Sequence, residues 1–358
     1  MAKGIIHGVK ISGISSCFPD NRLDNDYFVD YYDEKYIKRF ERSTGIKTRY
    51  LVSRKQTASD LCYTAAKKLI EHKGIDIKGI GALIFLTETP DYKTPSTAFI
   101  LQKRLGIGEE AIVFDINLGC TAAINGIVVV SSLIGSGIIN SGLVLVGDAI
   151  PGRETTDDHN SSMLFSDAGS AIYIERGEGD IPYVLGSNGN DFQAIMNPHG
   201  ERFLLDKENP DWDTCKYYMD GNFVFQFAAD RVPRMIDDFV RVSGKQVAEY
   251  DHLVFHQANR FIINHIAHDM EIDSEMVPIS IDRYANTNGA SIPVTICDLV
   301  ENGDCSDSLD LALCGFGVGL SWGMLGVRIE KKDVMPIIFS NDYYSEGTSI
   351  KYLDNRDQ

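Results

Sequence analysis

Two stretches of this chain run through the same succession of helix and strand patterns, and that repetition predicts an α/β architecture with internal duplication. In the first, a helical pattern over 57–72, apolar at Leu61, Ala65, Leu69 and Ile70, precedes a strand at Leu83-Ile84-Phe85-Leu86. A Pro-containing loop, a helix at 96–105, a strand at Val113-Phe114-Asp115, a turn at Cys120 and an apolar helix at 120–133 follow. In the second, a helix at 222–242 precedes Leu253-Val254-Phe255-His256, a helix at 260–270, a strand over 276–281, a turn at Asn286 and a helix at 291–300. Further strands are predicted at 8–17, 142–146, 170–175, 183–186, 309–314 and 320–329. Residues 1–178 thus form one half, carrying Cys120, and 179–330 the other, carrying His256 and Asn286. Residues 331–358 lack periodicity and read as an appendage, and Pro233 is expected to kink or split the 222–242 helix.

The repetition matters because open α/β sheets gather ligands at strand ends and helix starts. Cys120, His256 and Asn286 all fall at such places, so their separation along the chain is no obstacle to their meeting. At the start of a helix, unpaired N–H groups and the helix dipole favour a thiolate at Cys120. A thiol beside an imidazole and an amide donor can carry an acyl group as a thioester. Each residue also has a structural reading: Cys120 as a small buried hydrophobe, His256 as a satisfied core residue, and Asn286 and Asn288 as turn formers.

Composition narrows the partners. With 34 Lys+Arg against 51 Asp+Glu, the net charge of −17 repels nucleic acid and anionic membrane. The longest apolar stretch, 124–139, is broken by Asn125, Gly126, Ser131, Ser132, Gly135, Ser136 and Gly137 and reads as a core helix rather than a membrane span. Met1-Ala2-Lys3-Gly4 leads directly into a strand pattern, so a cytoplasmic protein is expected. The seven cysteines are odd in number, scattered and without a Cys-x-x-Cys pair, which suits reduced thiols and no zinc site.

Three motifs compete for other chemistries. Gly319-Leu320-Ser321-Trp322-Gly323 has the spacing of a serine-hydrolase elbow, but the following Met324–Ile329 alternates like a strand where the elbow needs a helix. Gly315-Phe316-Gly317-Val318-Gly319 resembles a dinucleotide loop yet lacks the third glycine spacing and a receiving helix, and reads as a loop whose N–H groups approach a substrate. His265 and His268 share a helix face, but no further ligand at metal spacing joins them, so no metal is expected.

Taken jointly, the turn Gly119-Cys120-Thr121-Ala122-Ala123, His256-Gln257-Ala258-Asn259, Asn286-Thr287 with Ala290-Ser291-Ile292-Pro293, and Gly315-Phe316-Gly317 before Trp322-Gly323 resemble β-ketoacyl-acyl carrier protein synthase III. Ser43-Thr44-Gly45-Ile46, Thr94-Pro95-Ser96, Val146-Gly147-Asp148 and Leu164-Phe165-Ser166-Asp167-Ala168-Gly169 are similar to segments of the same family, and the order holds over roughly 4–330. The resemblance implies a thiolase-like fold, two α/β halves packed as five αβαβα layers, usually a homodimer. It implies a decarboxylating Claisen condensation in which Cys120 takes an acyl group from a thioester and passes it to malonyl-acyl carrier protein, in fatty-acid initiation or a specialised acyl pathway. Coenzyme A or carrier-protein thioesters would be substrates, and no cofactor is implied. His256 and Asn286 would stabilise the enolate, the N–H groups of Cys120 and Val318 would form the oxyanion hole, and Asn222, Phe225, Ala258 and Asn259 would line the pantetheine tunnel.

Several positions depart from the family. Arg39-Phe40-Glu41-Arg42-Ser43 has neither the tryptophan nor the arginine that sandwich the adenine of coenzyme A in register, and the carrier-docking helix at 260–270 has only Arg260 firmly positive. Thr94 stands where a bulky aromatic often closes the acyl pocket, which implies a deeper channel and primers longer than acetyl. Two other readings keep the same residues: a cysteine acyltransferase that hands its acyl group to an alcohol or amine without decarboxylation, and a catalytically silent partner subunit.

Overall fold

The computed structural model describes residues 1–150, 162–197, 217–303 and 305–345. Its strands in chain order are β1 (Ala2–Phe18), β2 (Arg22–Asp24), β3 (Thr48–Tyr50), β4 (Ala82–Leu86), β5 (Ile112–Ile116), β6 (Ser141–Asp148), β7 (Ala168–Ser187), β8 (Ile195–Met196), β9 (Tyr218–Met219), β10 (His252–Phe255), β11 (Ser308–Gly317), β12 (Ser321–Glu330) and β13 (Ile338–Phe339). The helices are α1 (Glu34–Thr44), α2 (Ala58–Lys73), α3 (Thr97–Leu105), α4 (Ala122–Gly135), α5 (Gly221–Ser243), α6 (Arg260–Asp269), α7 (Ile281–Tyr284) and α8 (Ser291–Asn302).

Local chemistry sets the helix ends. Thr57 and Asp60 close α2 with a reciprocal capping box, and Gly74 ends it in the left-handed conformation. The carboxylate of Asp115 on β5 accepts from the backbone N–H groups of Thr97 and Ala98, tying α3 to its neighbouring strand. Asn259 caps α6 by accepting from the N–H of Ile262 at 3.1 Å.

Strand alternation builds the layers. On β4, Leu83 and Phe85 face outward onto α2 and α3, while Ile84 and Leu86 face inward onto α4. On β10, Leu253 and Phe255 face α5 and α6, while Val254 joins the inner cluster with Ile292 and Ile296 of α8. The order is therefore α2 and α3, a sheet, α4 and α8, a second sheet, then α5 and α6, the five αβαβα layers of a thiolase-like fold. Each fully buried leucine or phenylalanine in these interfaces contributes about 1.5–3 kcal/mol by removal from water.

Two long strands join the sheets. The beginning of β7 pairs with β6 and with the end of β1, whereas the end of β7 pairs with β12 and with the beginning of β1, all antiparallel. Parallel β5-β4-β6 completes one sheet, and β12-β11-β10 completes the other. The predicted strands at 170–175 and 183–186 are thus one continuous strand, and a division at 178 falls inside it. The glycines inside this strand mark close approach, since a Cβ on Gly177 would meet the Lys10 side chain at 2.6 Å and one on Gly179 the Val9 carbonyl at 2.5 Å.

Other expectations change. The predicted strand over 276–281 is absent: a 3₁₀ turn ends at Met276, and α7 begins at Ile281. Its backbone is satisfied by a side chain, because Gln257 accepts from the N–H of Ser280 and donates to the carbonyl of Pro278. Pro233 does not split α5, whose buried face of Val224, Ala228, Val232, Met235, Ile236 and Phe239 holds the helix across the missing hydrogen bond. Residues 331–345 return to the first half: β13 pairs with β1, Gln56 donates to the carbonyls of Ser340 and Asp342, and Arg104 stacks on Tyr344. Residues 346–358 lie outside the described residues. No helix among the described residues is long and apolar enough to cross a membrane.

Candidate active site

The turn that follows β5 carries Cys120, the one that follows β10 carries His256, and the one that follows α7 carries Asn286. Cys120 stands just before α4, where Thr121 takes the N-cap position and the N–H of Ala122 closes onto Gly119. Thr121 shares a hydrogen bond of 2.8 Å with Ser321, which donates to the carbonyl of Val318, so the β11–β12 turn is tied to the cysteine turn. That turn approaches very closely: Gly317 has φ 149°, and a Cβ there would lie 2.6 Å from the Cys120 sulfur. Gly317→Ala is expected to slow alkylation of Cys120 by iodoacetamide at least about ten-fold, followed by intact mass with the melting temperature recorded alongside.

Burial pushes the Cys120 thiol up to about 12, the Glu88 carboxyl adds to this, and the backbone groups of Val318 and of Cys120 itself oppose it. The resting group is a neutral thiol, contrary to the thiolate expected from its helix position, because desolvation outweighs the helix terminus. Its side-chain partner is Asn288, whose Oδ1 accepts from Sγ at 3.8 Å.

His256 follows β10 and is buried. Its Nδ1 lies 2.7 Å from the hydroxyl of Ser291 at the head of α8, while Nε2 is buried without a hydrogen-bond partner of standard geometry. Desolvation pushes the imidazole down to about 4, with the backbone of Asn288 partly opposing, so the ring is neutral near pH 7. The Ser291 oxygen also accepts from the N–H of Gln257 at 3.4 Å. The Asn288 backbone favours the protonated ring, and with Nδ1 engaged by Ser291 that contact is assigned to Nε2–H, so the hydroxyl donates to Nδ1.

Asn286 is gripped from the first half, since its N–H donates to Leu164, its carbonyl accepts from Ser166, and its Oδ1 accepts from the N–H of Asn288 at 2.9 Å. The following Asn288 takes the left-handed conformation at φ 51°, which Asn tolerates. Gly289 then packs against α4 and β6, where a Cβ would meet Ala122 and Val146 at 2.8 Å.

Cys120, His256 and Asn286 line one cavity of about 80 Å³, walled by Leu164, Phe165, Ile195, Met219, Val224 and Phe316. Ala258 and Asn259 also line it. Three anticipated residues do not: Asn222 is exposed on the first turn of α5, Phe225 stacks instead on Phe261 and His265, and Thr94 is exposed outside the lining. Within one chain Thr94 therefore does not form the base of an acyl pocket. A larger groove of about 780 Å³, lined by Lys10, Lys73, Glu175 and Asp333 among others, contains neither cysteine nor histidine.

The sequence offers Ser291 only within the Ala290-Ser291-Ile292-Pro293 segment and Asn288 only as a turn former, neither with a role in the site, and Glu88 carries no local signal beyond polarity at the end of an apolar run. Of the competing motifs, Ser321 opens strand β12 with no helix behind it, and His265 pairs with Asp269 at 3.3 Å. Among the described residues no group of three metal-ligating side chains occurs.

The sequence matches the family described as 3-oxoacyl-[acyl-carrier-protein (ACP)] synthase III over residues 114–189, and the C-terminal part of that family over 240–329. It is 33% identical over 325 residues to the β-ketoacyl-[acyl-carrier-protein] synthase III of Staphylococcus epidermidis, covering 89% of this chain and 98% of that protein. The corresponding Neisseria meningitidis protein is 31% identical over 319 residues, covering 88% and 97%. The crystal structure of a 3-oxoacyl-(acyl-carrier protein) synthase from Burkholderia xenovorans LB400 superposes with a TM-score of 0.85 at 30% identity, covering 95% of this chain and 99% of that one. With a thiol, an imidazole and an amide gathered in one apolar cavity of a thiolase-like fold, this chain belongs to the β-ketoacyl-[acyl-carrier-protein] synthase III family.

Proposed function

We propose that this protein condenses an acyl thioester with malonyl-acyl carrier protein, releasing carbon dioxide, through an acyl group held on Cys120. The observation that carries this is the convergence of Cys120, His256 and Asn286 on one apolar cavity. In the first half-reaction the Cys120 sulfur attacks the thioester carbonyl, the carbon–sulfur bond to the donor breaks, and the thiol proton ends on the departing thiol. The N–H groups of Cys120 and Val318, both of which act on the sulfur site, would donate to the developing oxyanion.

In the second half-reaction malonyl thioester loses carbon dioxide, and the electron pair passes into an enolate. Its oxygen would accept from His256 Nε2–H and from the Asn286 amide, whose NH₂ is the free end because Oδ1 already accepts from Asn288. The enolate carbon attacks the acyl carbonyl, and the bond to Cys120 breaks with its electron pair left on the sulfur, which takes a proton from solvent as the 3-oxoacyl thioester leaves. Water is kept from the enolate by Leu164, Phe165, Val224 and Phe316. The substrates are themselves thioesters, so the scheme calls on no cofactor.

A homodimer fits the open edge of the first sheet. β5 is the terminal strand, Ile112, Val113, Phe114 and Ile116 are all partly exposed, and Phe99 on the adjoining α3 is exposed. A second copy would cover both.

Incubation with acyl-coenzyme A of varied length is expected to add one acyl mass, and malonyl-acyl carrier protein is then expected to remove it with one labelled carbon dioxide per product. Acyl transfer to an alcohol or amine without carbon dioxide would replace this reading by the simple acyltransferase, and an absent adduct would favour the silent subunit.

A further inference from the structure

Glu88, two residues beyond β4, occupies the floor beneath the cysteine turn. A Cβ on Gly119 would lie 2.7 Å from its carboxyl group, so the acid rests directly against the backbone preceding Cys120. Its own N–H donates to Asp148 Oδ1 at 2.7 Å, and Thr87 donates to the same oxygen at 3.1 Å, which fixes the turn that presents it. Glu88 Oε2 accepts from Asn288 Nδ2 at 3.1 Å, and Asn288 Oδ1 accepts in turn from the Cys120 thiol.

We infer that Glu88 is a positioning residue for the nucleophile, acting through Asn288 to hold the Cys120 thiol in its reactive orientation. The inference rests on Cys120 being the acyl carrier. An asparagine amide could present either end to the sulfur. The Glu88 oxygen, as acceptor, draws the NH₂ end and leaves Oδ1 for the S–H. The thiol proton then points at Asn288, and the sulfur lone pairs are left toward the backbone of Val318 and the cavity.

The charge state of Glu88 gives the device a pH signature. Burial and the neighbouring Asp148 push its carboxyl up to about 8, while the Asn288 hydrogen bond opposes them. The titratable groups acting on it are Asp148 at the end of β6 and Cys120 at the head of α4; Asn288, Thr87 and Thr89 carry no charge. Near pH 7 the acid is largely protonated and orients the amide without placing a full negative charge beside the sulfur. Above about pH 8 it ionises and opposes the thiolate.

The test follows iodoacetamide alkylation of Cys120 against pH by mass, with acylation rates measured separately. In the wild type the logarithm of the alkylation rate should rise with pH and then flatten near pH 8, whereas Glu88→Gln should remove that break. Glu88→Gln keeps an acceptor for Asn288 and should retain acylation at pH 7 within about three-fold, while Glu88→Ala should lower the acylation rate about ten-fold without raising KM. Glu88→Ala with Asn288→Ala should be no slower than Asn288→Ala alone. Superimposable wild-type and Glu88→Gln profiles, or additive losses in the double variant, would overturn the inference. If alkylation shows the break while no thioester acylates Cys120, the assigned reaction fails and the positioning role stands.

Discussion

Cys120→Ala is expected to abolish the acyl adduct and to lower condensation by at least about a thousand-fold, the scale seen when a covalent nucleophile is removed. No other described cysteine offers a replacement. Cys17, Cys62, Cys297 and Cys314 are buried, and desolvation pushes each of their thiols up without placing it at the cavity. Cys305 lies outside the lining and donates to the carbonyl of Leu299 at 3.3 Å. Decarboxylation of malonyl thioester should continue at a measurable rate in Cys120→Ala, because His256 and Asn286 retain their own supports in Ser291 and Leu164. Intact mass after incubation with acyl-coenzyme A reads the first loss, and labelled carbon dioxide reads the second activity. An adduct of equal yield on the alanine variant would place the acyl group elsewhere and end the assignment.

What the sequence disclosed follows from which interactions are local. The strands read from continuous apolar runs, such as Leu83-Ile84-Phe85-Leu86, lie where expected because their two faces meet two different layers and every residue has a core to enter. Cys120 and His256 were visible because each follows a strongly patterned strand, and duplicated topology brings such ends together, whereas Asn286 follows the short helix α7 and stood out by its turn chemistry. Residues 277–280 misled because alternation alone does not reveal that Gln257 satisfies their backbone in place of a neighbouring strand. Asn222, Phe225 and Thr94 came from correspondence of position alone; the exposure of Asn222 and Thr94 and the turning of Phe225 onto Phe261 depend on how α5 and the 87–96 loop are oriented, which no local pattern encodes. Glu88 stayed hidden for the opposite reason: its significance lies in contacts with Asn288 and Gly119, distant along the chain.

His256→Ala should separate the two half-reactions. The Cys120 thiol donates to Asn288 rather than to His256, and its charge is favoured by backbone groups, so acyl-enzyme should still form at a rate within several-fold of wild type. Decarboxylation should fall about 10²–10³-fold, the usual loss when one donor to a developing oxyanion is removed from a dry site. The same buried ring has a consequence for stability. Its folded value of about 4 lies below the ordinary 6.5, so the unfolded chain binds a proton over that interval and the folded protein does not. Stability therefore rises with pH through this window, and falls by about 1.4 kcal/mol for each unit on acidification from 6.5 toward 4. His256→Ala removes this contribution, so its stability should be flatter between those limits than that of wild type even though the cavity it leaves lowers the value at pH 7. Urea titrations at several pH values read the slope, and stopped mass measurements read the acylation rate. Equal loss of both half-reactions with an unchanged pH slope would mean that the imidazole is neither the buried neutral group nor the enolate donor that its partners Ser291 and Gln257 arrange it to be.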